Sequence, residues 1–167
     1  MARGRLRGRL GHGAHAALLC AATAWISFAA LAPRVSARVA QGAAPGPVRM
    51  VWDGVYTERQ ARRGEAAFAQ SCASCHAEDL RGRSTAPSLV EESFAFLWGD
   101  LTVGELFSRT KATMPSDRPG SLPAETYADL VAFLLQKNGY PAGSTELAAL
   151  ADALESIRIS TTRPPGK

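Results

Sequence analysis

The sequence is poor in side chains that bind metals through nitrogen or sulfur. It has three cysteines, three histidines and three methionines among 167 residues. Two of the histidines and one cysteine, Cys20, lie within the first 37 residues. The rest of the chain offers one histidine, His76, and two cysteines, Cys72 and Cys75. A structural zinc site is therefore not expected, because it needs a full set of Cys and His ligands.

The chain also lacks a basic excess outside its N-terminus. Its formal charge is +4, but five arginines and no acidic residue precede residue 38. Subtracting those five from 19 basic residues leaves 14, against 15 acidic residues, a net charge of −1. No basic surface for phosphate is indicated, and we expect no nucleic-acid partner.

The first 37 residues have the layout of an export signal. An arginine-rich start precedes an uncharged run over residues 16–32, and Val35-Ser36-Ala37 supplies small residues for a signal peptidase. We expect cleavage after Ala37 and a periplasmic or other extracytoplasmic protein. An uncleaved membrane anchor is the alternative, although the run is slightly short of the usual span of about 20 residues. Only in that case is the membrane a partner.

The remaining chain divides into a linker, a helical domain and an extension. Residues 38–49 are rich in Gly, Pro and Ala, a composition typical of a flexible linker. The domain is predicted over residues 50–143, and an amphipathic extension with a frayed end over residues 144–167. No strand pattern of convincing length is present, so the predicted fold class is all-α.

Two capping patterns mark the starts of helices within the domain. Thr57 and Gln60 have the spacing of a capping box and predict a helix over residues 58–71. Thr102 and Glu105 form a second such pair before a short helix that ends before Met114. Between these helices, residues 77–91 contain Gly and Pro and predict a long loop.

The C-terminal part of the chain predicts two further helical segments. Residues 124–138 have a broad apolar face, with Pro123 before the helix and Gly139 after it. In the extension, apolar residues recur at helical spacing between residues 147 and 157. We expect this amphipathic segment to pack on its own domain, and docking of residues 146–159 onto a partner is the alternative.

The two remaining cysteines and the histidine form one motif, Cys72-Ala73-Ser74-Cys75-His76. The spacing C-x-x-C-H is the signature for covalent attachment of haem c. Both thiols can form thioethers to one edge of the porphyrin, and His76 then lies under the iron as a ligand. A thioredoxin-like redox pair is disfavoured, because no βαβ pattern surrounds the motif.

The second axial ligand can be narrowed to two methionines, Met50 and Met114. Met50 precedes the motif beside the linker, whereas Met114 follows His76 at a distance that lets the chain wrap around the haem. We therefore predict Met114 as the axial ligand, with a core-filling methionine as the alternative. The predicted haem pocket is lined by Phe68, Pro87, Leu89 and Leu106.

At these residues the chain resembles class I cytochrome c, over about residues 52–140. In that family a Gly and an aromatic residue on the first helix cross a Leu-x-x-aromatic pair on the last helix. Gly64 and Phe68 match the first pair, and Leu130 and Phe133 match the second. The resemblance implies a class I cytochrome c fold, with these two helices crossing beside a covalent haem.

The same resemblance implies a role for Pro87, whose carbonyl would accept the second N–H of His76. Four short segments are more narrowly similar to cytochromes that take electrons from quinoprotein dehydrogenases, which contain pyrroloquinoline quinone. These segments span residues 54–57, 63–65, 113–115 and 138–141. Pro123 departs from the family, because many relatives have a polar helix cap at that position.

The function expected from these features is electron transfer by one haem c per chain. His/Met ligation leaves no open coordination site, so we expect a carrier and no catalytic residue. The expected donor is a redox protein such as a quinoprotein dehydrogenase, and the expected acceptor is a respiratory protein. Two alternatives remain, namely a gas-binding or enzymatic haem protein without the Met114 ligand and a tethered subunit of a larger dehydrogenase.

Overall fold

The computed structural model describes residues 47–166. The predicted presequence and most of the predicted linker lie outside this range, as does Lys167. In chain order the elements are β1 (Arg49–Met50), a 3-10 helix (Val51–Asp53), α1 (Glu58–Ser71), α2 (Ala73–His76), α3 (Glu91–Trp98), α4 (Val103–Thr113), α5 (Ala124–Lys137), α6 (Ala151–Leu154) and β2 (Ile157–Arg158). The described chain is mostly helical, as predicted. None of its helices is long and apolar enough to cross a bilayer.

Helices α1 and α5 cross each other closely in the core. Gly64 lies at the crossing, where a Cβ atom on this residue would overlap the backbone carbonyl of Asp129. One turn further along, the rings of Phe68 and Phe133 pack with their centroids 5.4 Å apart. Leu130 is also buried there. The absence of a side chain at Gly64 is therefore what lets the two backbones approach.

The two predicted capping boxes differ in the structure. Thr102 and Glu105 make both reciprocal bonds, at 2.7 and 3.0 Å. Thr57 accepts a bond from the backbone N–H of Gln60 at 3.1 Å, but the return bond is not made. The side chain of Gln60 is buried and instead exchanges two hydrogen bonds with the backbone of Leu147. The predicted start of α1 is correct, although the Gln60 side chain bonds to Leu147 and does not complete the capping box.

The loop predicted over residues 77–91 ends where expected, and it is followed by α3, a helix that the sequence did not predict. The N-cap residue of α3 is Val90, whose side chain makes no capping hydrogen bond. Phe94 is the buried residue of this helix, with its ring centroid 6.4 Å from that of Tyr140. The helix is therefore held by tertiary packing and has no local start signal that a sequence could display.

The C-terminal extension packs on the domain but is mostly not helical. Its helix is limited to the four residues of α6, and Leu150, which the helical spacing had placed on the apolar face, is 69% exposed. After α6, β2 pairs in parallel with β1, a two-stranded sheet that the sequence did not predict. Arg49 therefore belongs to a strand and not to the linker. The extension contributes four buried apolar side chains, those of Leu147, Leu154, Ile157 and Ile159.

Candidate functional site

The C-x-x-C-H motif lies at the junction of α1 and α2. The backbone N–H groups of Cys75 and His76 both donate to the carbonyl of Cys72, at 3.1 and 2.9 Å. These two bonds close a single helical turn that carries both cysteines. Cys72 is half-buried, Cys75 is exposed, and neither forms a disulfide. Both sulfur atoms are free for a covalent bond to an external group.

The acidity of Cys72 argues against a thiol redox pair. Burial, and secondarily the neighbouring Cys75, raise the pKa of the Cys72 thiol to about 11. Reactive redox cysteines instead have a lowered pKa, because the thiolate is the attacking species. The raised pKa of Cys72 therefore does not favour dithiol exchange.

The His76 ring is buried and fixed by one main-chain contact. Its Nδ1 lies 3.0 Å from the carbonyl oxygen of Pro87. A carbonyl can only accept a hydrogen bond, so Nδ1 must carry the proton and donate. In the neutral imidazole, Nε2 is then the nitrogen with a lone pair available for a metal. The contact that the family resemblance implies for Pro87 is present.

The loop between α2 and α3 folds back on itself and so brings Pro87 to His76. The N–H of Gly82 donates to the carbonyl of His76 at 3.0 Å, and Leu89 donates to Leu80 at 2.8 Å. Gly82 has a φ of 83°, and a Cβ there would overlap the carbonyl of Ala86. Only glycine is compatible with that turn.

Asn138 anchors this loop to the end of α5, a role that the sequence analysis did not identify. Its side-chain nitrogen donates to the carbonyls of Leu89 and Leu134, at 3.0 and 2.8 Å. Its side-chain oxygen accepts from the backbone N–H of Glu91 at 3.0 Å. In the sequence, Asn138-Gly139 after an apolar helix indicates only the end of that helix.

Met114 is the C-cap residue of α4, directly after Thr113, and it is half-buried. Its backbone N–H donates to Thr110 at 2.9 Å, and its carbonyl accepts the hydroxyl of Tyr127 at 2.7 Å. Met50 has a different environment, in β1 beside Arg158 and bonded through its N–H to Asp53. The two methionines therefore lie in separate parts of the structure.

The other residues predicted to line the pocket differ in burial. Phe68 and Leu106 are buried, Leu89 is half-buried, and Pro87 is exposed. The structure brings His76 and Pro87 together, whereas Met114 is held by its own contacts with α4 and α5. Residues 47–166 contain no cluster of three or more Cys, His, Asp or Glu side chains arranged for a metal ion.

Comparison with known proteins identifies the domain. Residues 59–134 match the family model described as cytochrome c oxidase, cbb3-type, subunit III. This chain contains a cytochrome c domain. The matched region begins in α1 and ends in α5, so it includes the motif, the loop after it and Met114. The all-α, class I cytochrome c fold predicted from the sequence is confirmed.

A cytochrome c domain carries covalently bound haem c, so the predicted cofactor is also confirmed. The haem supplies an iron that changes oxidation state by one electron, and the general function of the domain is electron transfer. The free thiols and the oriented imidazole described above fit this group.

No curated protein matches the sequence. Among solved structures, the chain is similar to the sulfane dehydrogenase SoxCD from Paracoccus pantotrophus, with 22% identity and a TM-score of 0.41. The similarity covers 57% of this chain and 55% of the SoxCD chain. This chain therefore spans about half the length of the chain that it matches.

Proposed function

We propose that this cytochrome c domain is an exported electron carrier with a single haem. Cys72 and Cys75 form the thioethers, His76 is the proximal iron ligand, and Met114 is the distal ligand. The observation that carries the proposal is the 3.0 Å contact between Nδ1 of His76 and the carbonyl of Pro87. That contact leaves Nε2 as the only ring nitrogen with a free lone pair.

On the proximal side, the proposal rests on the orientation of His76. His76 follows Cys75 directly, and its buried ring is oriented by the bond with the Pro87 carbonyl. A bond to a backbone carbonyl makes the imidazole a stronger donor to a metal. Leu89, which is half-buried on the same loop, and Phe68, which is buried in α1, both belong to the apolar core and are proposed to line the haem pocket.

On the distal side, the proposal depends on the chemistry and position of Met114. Thioether sulfur is a soft ligand that raises the potential of haem iron. Met114 belongs to the segment between α4 and α5, within the residues that match the family model. Met50 lies before α1 and outside that match, which favours Met114 over Met50.

We further propose that the donor is a quinoprotein dehydrogenase and that the acceptor is a respiratory protein in the periplasm. The short segments that resemble quinoprotein-linked cytochromes support the donor, and the export-signal pattern of the first 37 residues supports the compartment. The N-terminal segment is a membrane anchor if it is not cleaved.

The ligand set is tested by spectroscopy on the protein produced in a host with a cytochrome c maturation system. Haem should remain on the chain after denaturing electrophoresis, and intact mass should correspond to one haem and a chain that begins near Arg38. The ferrous protein should be six-coordinate, low-spin and unresponsive to carbon monoxide. A high-spin ferrous haem that binds carbon monoxide would instead identify a gas-binding or enzymatic protein.

The donor is tested separately, by mixing the oxidised cytochrome with a purified quinoprotein dehydrogenase and its alcohol substrate. Reduction of the haem should accelerate with cytochrome concentration and should be lost when the quinone cofactor is omitted. If the haem is reduced no faster than by substrate alone, the donor assignment fails, while the ligand assignment stands on its own spectra.

A further inference from the structure

Tyr127 is a completely buried tyrosine whose hydroxyl contacts the backbone on both sides of the Met114 segment. It lies in the first turn of α5, with no exposed surface. The hydroxyl donates to the carbonyl of Met114 at 2.7 Å and accepts from the backbone N–H of Leu122 at 3.4 Å. One oxygen atom therefore connects Met114, at the end of α4, to Leu122, two residues before α5.

The chain between these two contacts is otherwise held mainly by its own turns. Arg118 donates to Pro115 at 2.9 Å, and Ser121 donates to Arg118 at 3.2 Å. Residues 116–121 are all exposed. The Met114 carbonyl also receives the N–H of Gly120, but at 3.4 Å. Among the described contacts, the short bond from Tyr127 is thus the strongest tie between the Met114 carbonyl and the helical core.

We propose that Tyr127 is a positioning residue that holds Met114 against the haem and limits how often its sulfur leaves the iron. This inference rests on the proposed function, because it requires Met114 to be the distal ligand. The sulfur of Met114 can leave by rotation of its side chain or by movement of the backbone that carries it, and Tyr127 acts on the second route. Movement of Met114 must stretch or break the bond from the buried hydroxyl, so that bond opposes dissociation.

The chain provides a closely matched control in Tyr56. This tyrosine is also buried, and its hydroxyl donates to the carbonyl of Tyr140 at 2.6 Å. Replacing either tyrosine with phenylalanine removes one buried hydroxyl that donates to a backbone carbonyl, and at Tyr127 it also removes the longer bond from Leu122. Tyr56 precedes α1 and its carbonyl partner lies three residues beyond the end of α5, so this contact is separate in sequence from the Met114 segment. Loss of packing and loss of a hydrogen bond are therefore common to both variants.

The experiment measures displacement of the distal ligand by imidazole in the full ferric holoprotein. At saturating imidazole the observed rate equals the rate at which the protein ligand leaves the iron. Tyr127→Phe should raise this limiting rate about tenfold, the factor that corresponds to one ordinary hydrogen bond. Tyr56→Phe should change it by less than about twofold, while both variants lose thermal stability to a similar extent.

The outcomes separate the inference from the proposal on which it rests. A wild-type rate that rises with imidazole without reaching a limit, as in Met114→Ala, would show that Met114 is not the ligand. A saturating wild-type rate that is unchanged in Tyr127→Phe would overturn the role of Tyr127 alone. Equal acceleration in Tyr56→Phe would also overturn it, because the effect would then be general loosening.

A second variant covers the case in which Tyr127→Phe does not accumulate. Site-specific incorporation of 3-fluorotyrosine at position 127 keeps the ring and the hydroxyl while making the hydroxyl a stronger donor. The limiting rate of imidazole binding should then fall below that of the wild type. A rate that is unchanged or higher would contradict the inference.

Discussion

At the scale of single residues, the proposed ligands are oriented through backbone carbonyls. The carbonyl of Pro87 accepts from the His76 ring, and the carbonyl of Met114 accepts from Tyr127. A carbonyl position is set by the path of the chain and not by a side-chain rotamer. The geometry of the site therefore depends on how the two loops are attached to the helices, and the attaching side chains are Asn138 and Tyr127.

The first prediction concerns the distal ligand. Met114→Ala should leave the haem covalently attached while opening one coordination position, so the protein should accumulate, bind carbon monoxide when ferrous, and have a lower reduction potential. Optical spectra and a redox titration measure these changes. Met50→Ala is the control and should alter neither property. Disruption of the spectrum by Met50→Ala, but not by Met114→Ala, would show that the wrong methionine was chosen.

The second prediction concerns attachment. In the proposed site, Cys72→Ser removes one of the two thioethers, and His76→Ala removes the proximal ligand. Each should largely abolish mature holoprotein, because the haem forms much of the core and its binding is coupled to folding. Haem staining and total-protein blots of the same extracts measure this. Ser74→Ala, between the two cysteines and exposed, should preserve normal levels of haem protein.

The chemistry of the site could be predicted from local sequence, but the side chains that support it could not. Cys72, Cys75 and His76 are adjacent in the chain, so their shared role follows from spacing alone. Asn138 lies 49 residues from Leu89, and its bond depends on how α5 packs against the loop. In the sequence, Asn138 indicates only the end of a helix, and Tyr127 is one of several residues on an apolar helix face.

At the scale of elements, the crossing of α1 and α5 determines the centre of the fold. The third prediction is that Gly64→Ala destabilises the domain by about 1–3 kcal/mol, because the added methyl group meets backbone atoms of Asp129 that cannot rotate away. Chemical denaturation of the holoprotein measures this loss. Ala69→Ser, at an exposed position of the same helix, should change stability by less than about 0.5 kcal/mol.

The helices that the sequence predicted well are those with local start and stop signals. Thr57 and Thr102 cap α1 and α4, and Pro123 precedes α5. Pro123 provides no side-chain cap, as its departure from the family pattern suggested, yet α5 begins at the expected residue. Packing against α1 compensates for the missing cap. By contrast, α3 and the β1–β2 pair are stabilised by distant segments and have no local signal.

At the scale of the whole molecule, an ionic cluster joins α1, α5 and the extension. Arg63 forms two bonds with Asp129, at 2.7 and 2.8 Å, and also contacts Glu146 at 2.9 Å. Arg59 contacts the same Glu146 carboxylate at 2.9 Å. The cluster lies beside the helix crossing and holds the start of the extension against α1.

The fourth prediction is a pH-dependent contribution from Glu146. Its hydrogen bonds with Arg63 and then Arg59 lower the pKa of this carboxyl from 4.5 to about 2. A carboxyl with a lowered pKa stabilises the fold above its unfolded pKa and loses that contribution as pH falls through the folded pKa. The melting temperature of Glu146→Gln should therefore be lower than wild type at pH 7, and the difference should shrink between about pH 4.5 and pH 2.

The stability difference between Glu146→Gln and the wild type can be checked by varying the salt concentration, because the charged groups are partly exposed. The Glu146 side chain is 32% exposed and that of Arg63 is 44% exposed, so salt should screen the interaction and reduce the difference at pH 7. Glu78→Gln, at an exposed position outside the cluster, should show no comparable dependence on pH. A difference for Glu146→Gln that stays constant from pH 7 to pH 2 would contradict the ionic origin.

The fifth prediction concerns the extension, which supplies buried side chains to the core. A chain that ends at Gly143 loses Leu147, Leu154, Ile157 and Ile159, and we expect it not to form a stable domain. A chain that ends at Thr162 keeps these residues and loses the Arg163 contact with Trp52, worth about 0.5–1 kcal/mol. Circular dichroism and limited proteolysis distinguish the two. A stable domain ending at Gly143 would favour docking of the extension onto a partner.

The extension follows the attachment motif in the chain, and this order bears on biogenesis. β2 pairs with β1, and the Thr102 hydroxyl at the start of α4 donates to Glu155, so residues 144–159 complete a core whose other elements are made earlier. In the proposed export, the chain emerges from the translocation pore in the N-to-C direction, and Cys72 and Cys75 emerge well before those residues. The core then still lacks Leu147, Leu154, Ile157 and Ile159. Under that proposal, haem attachment can begin before the domain has finished folding.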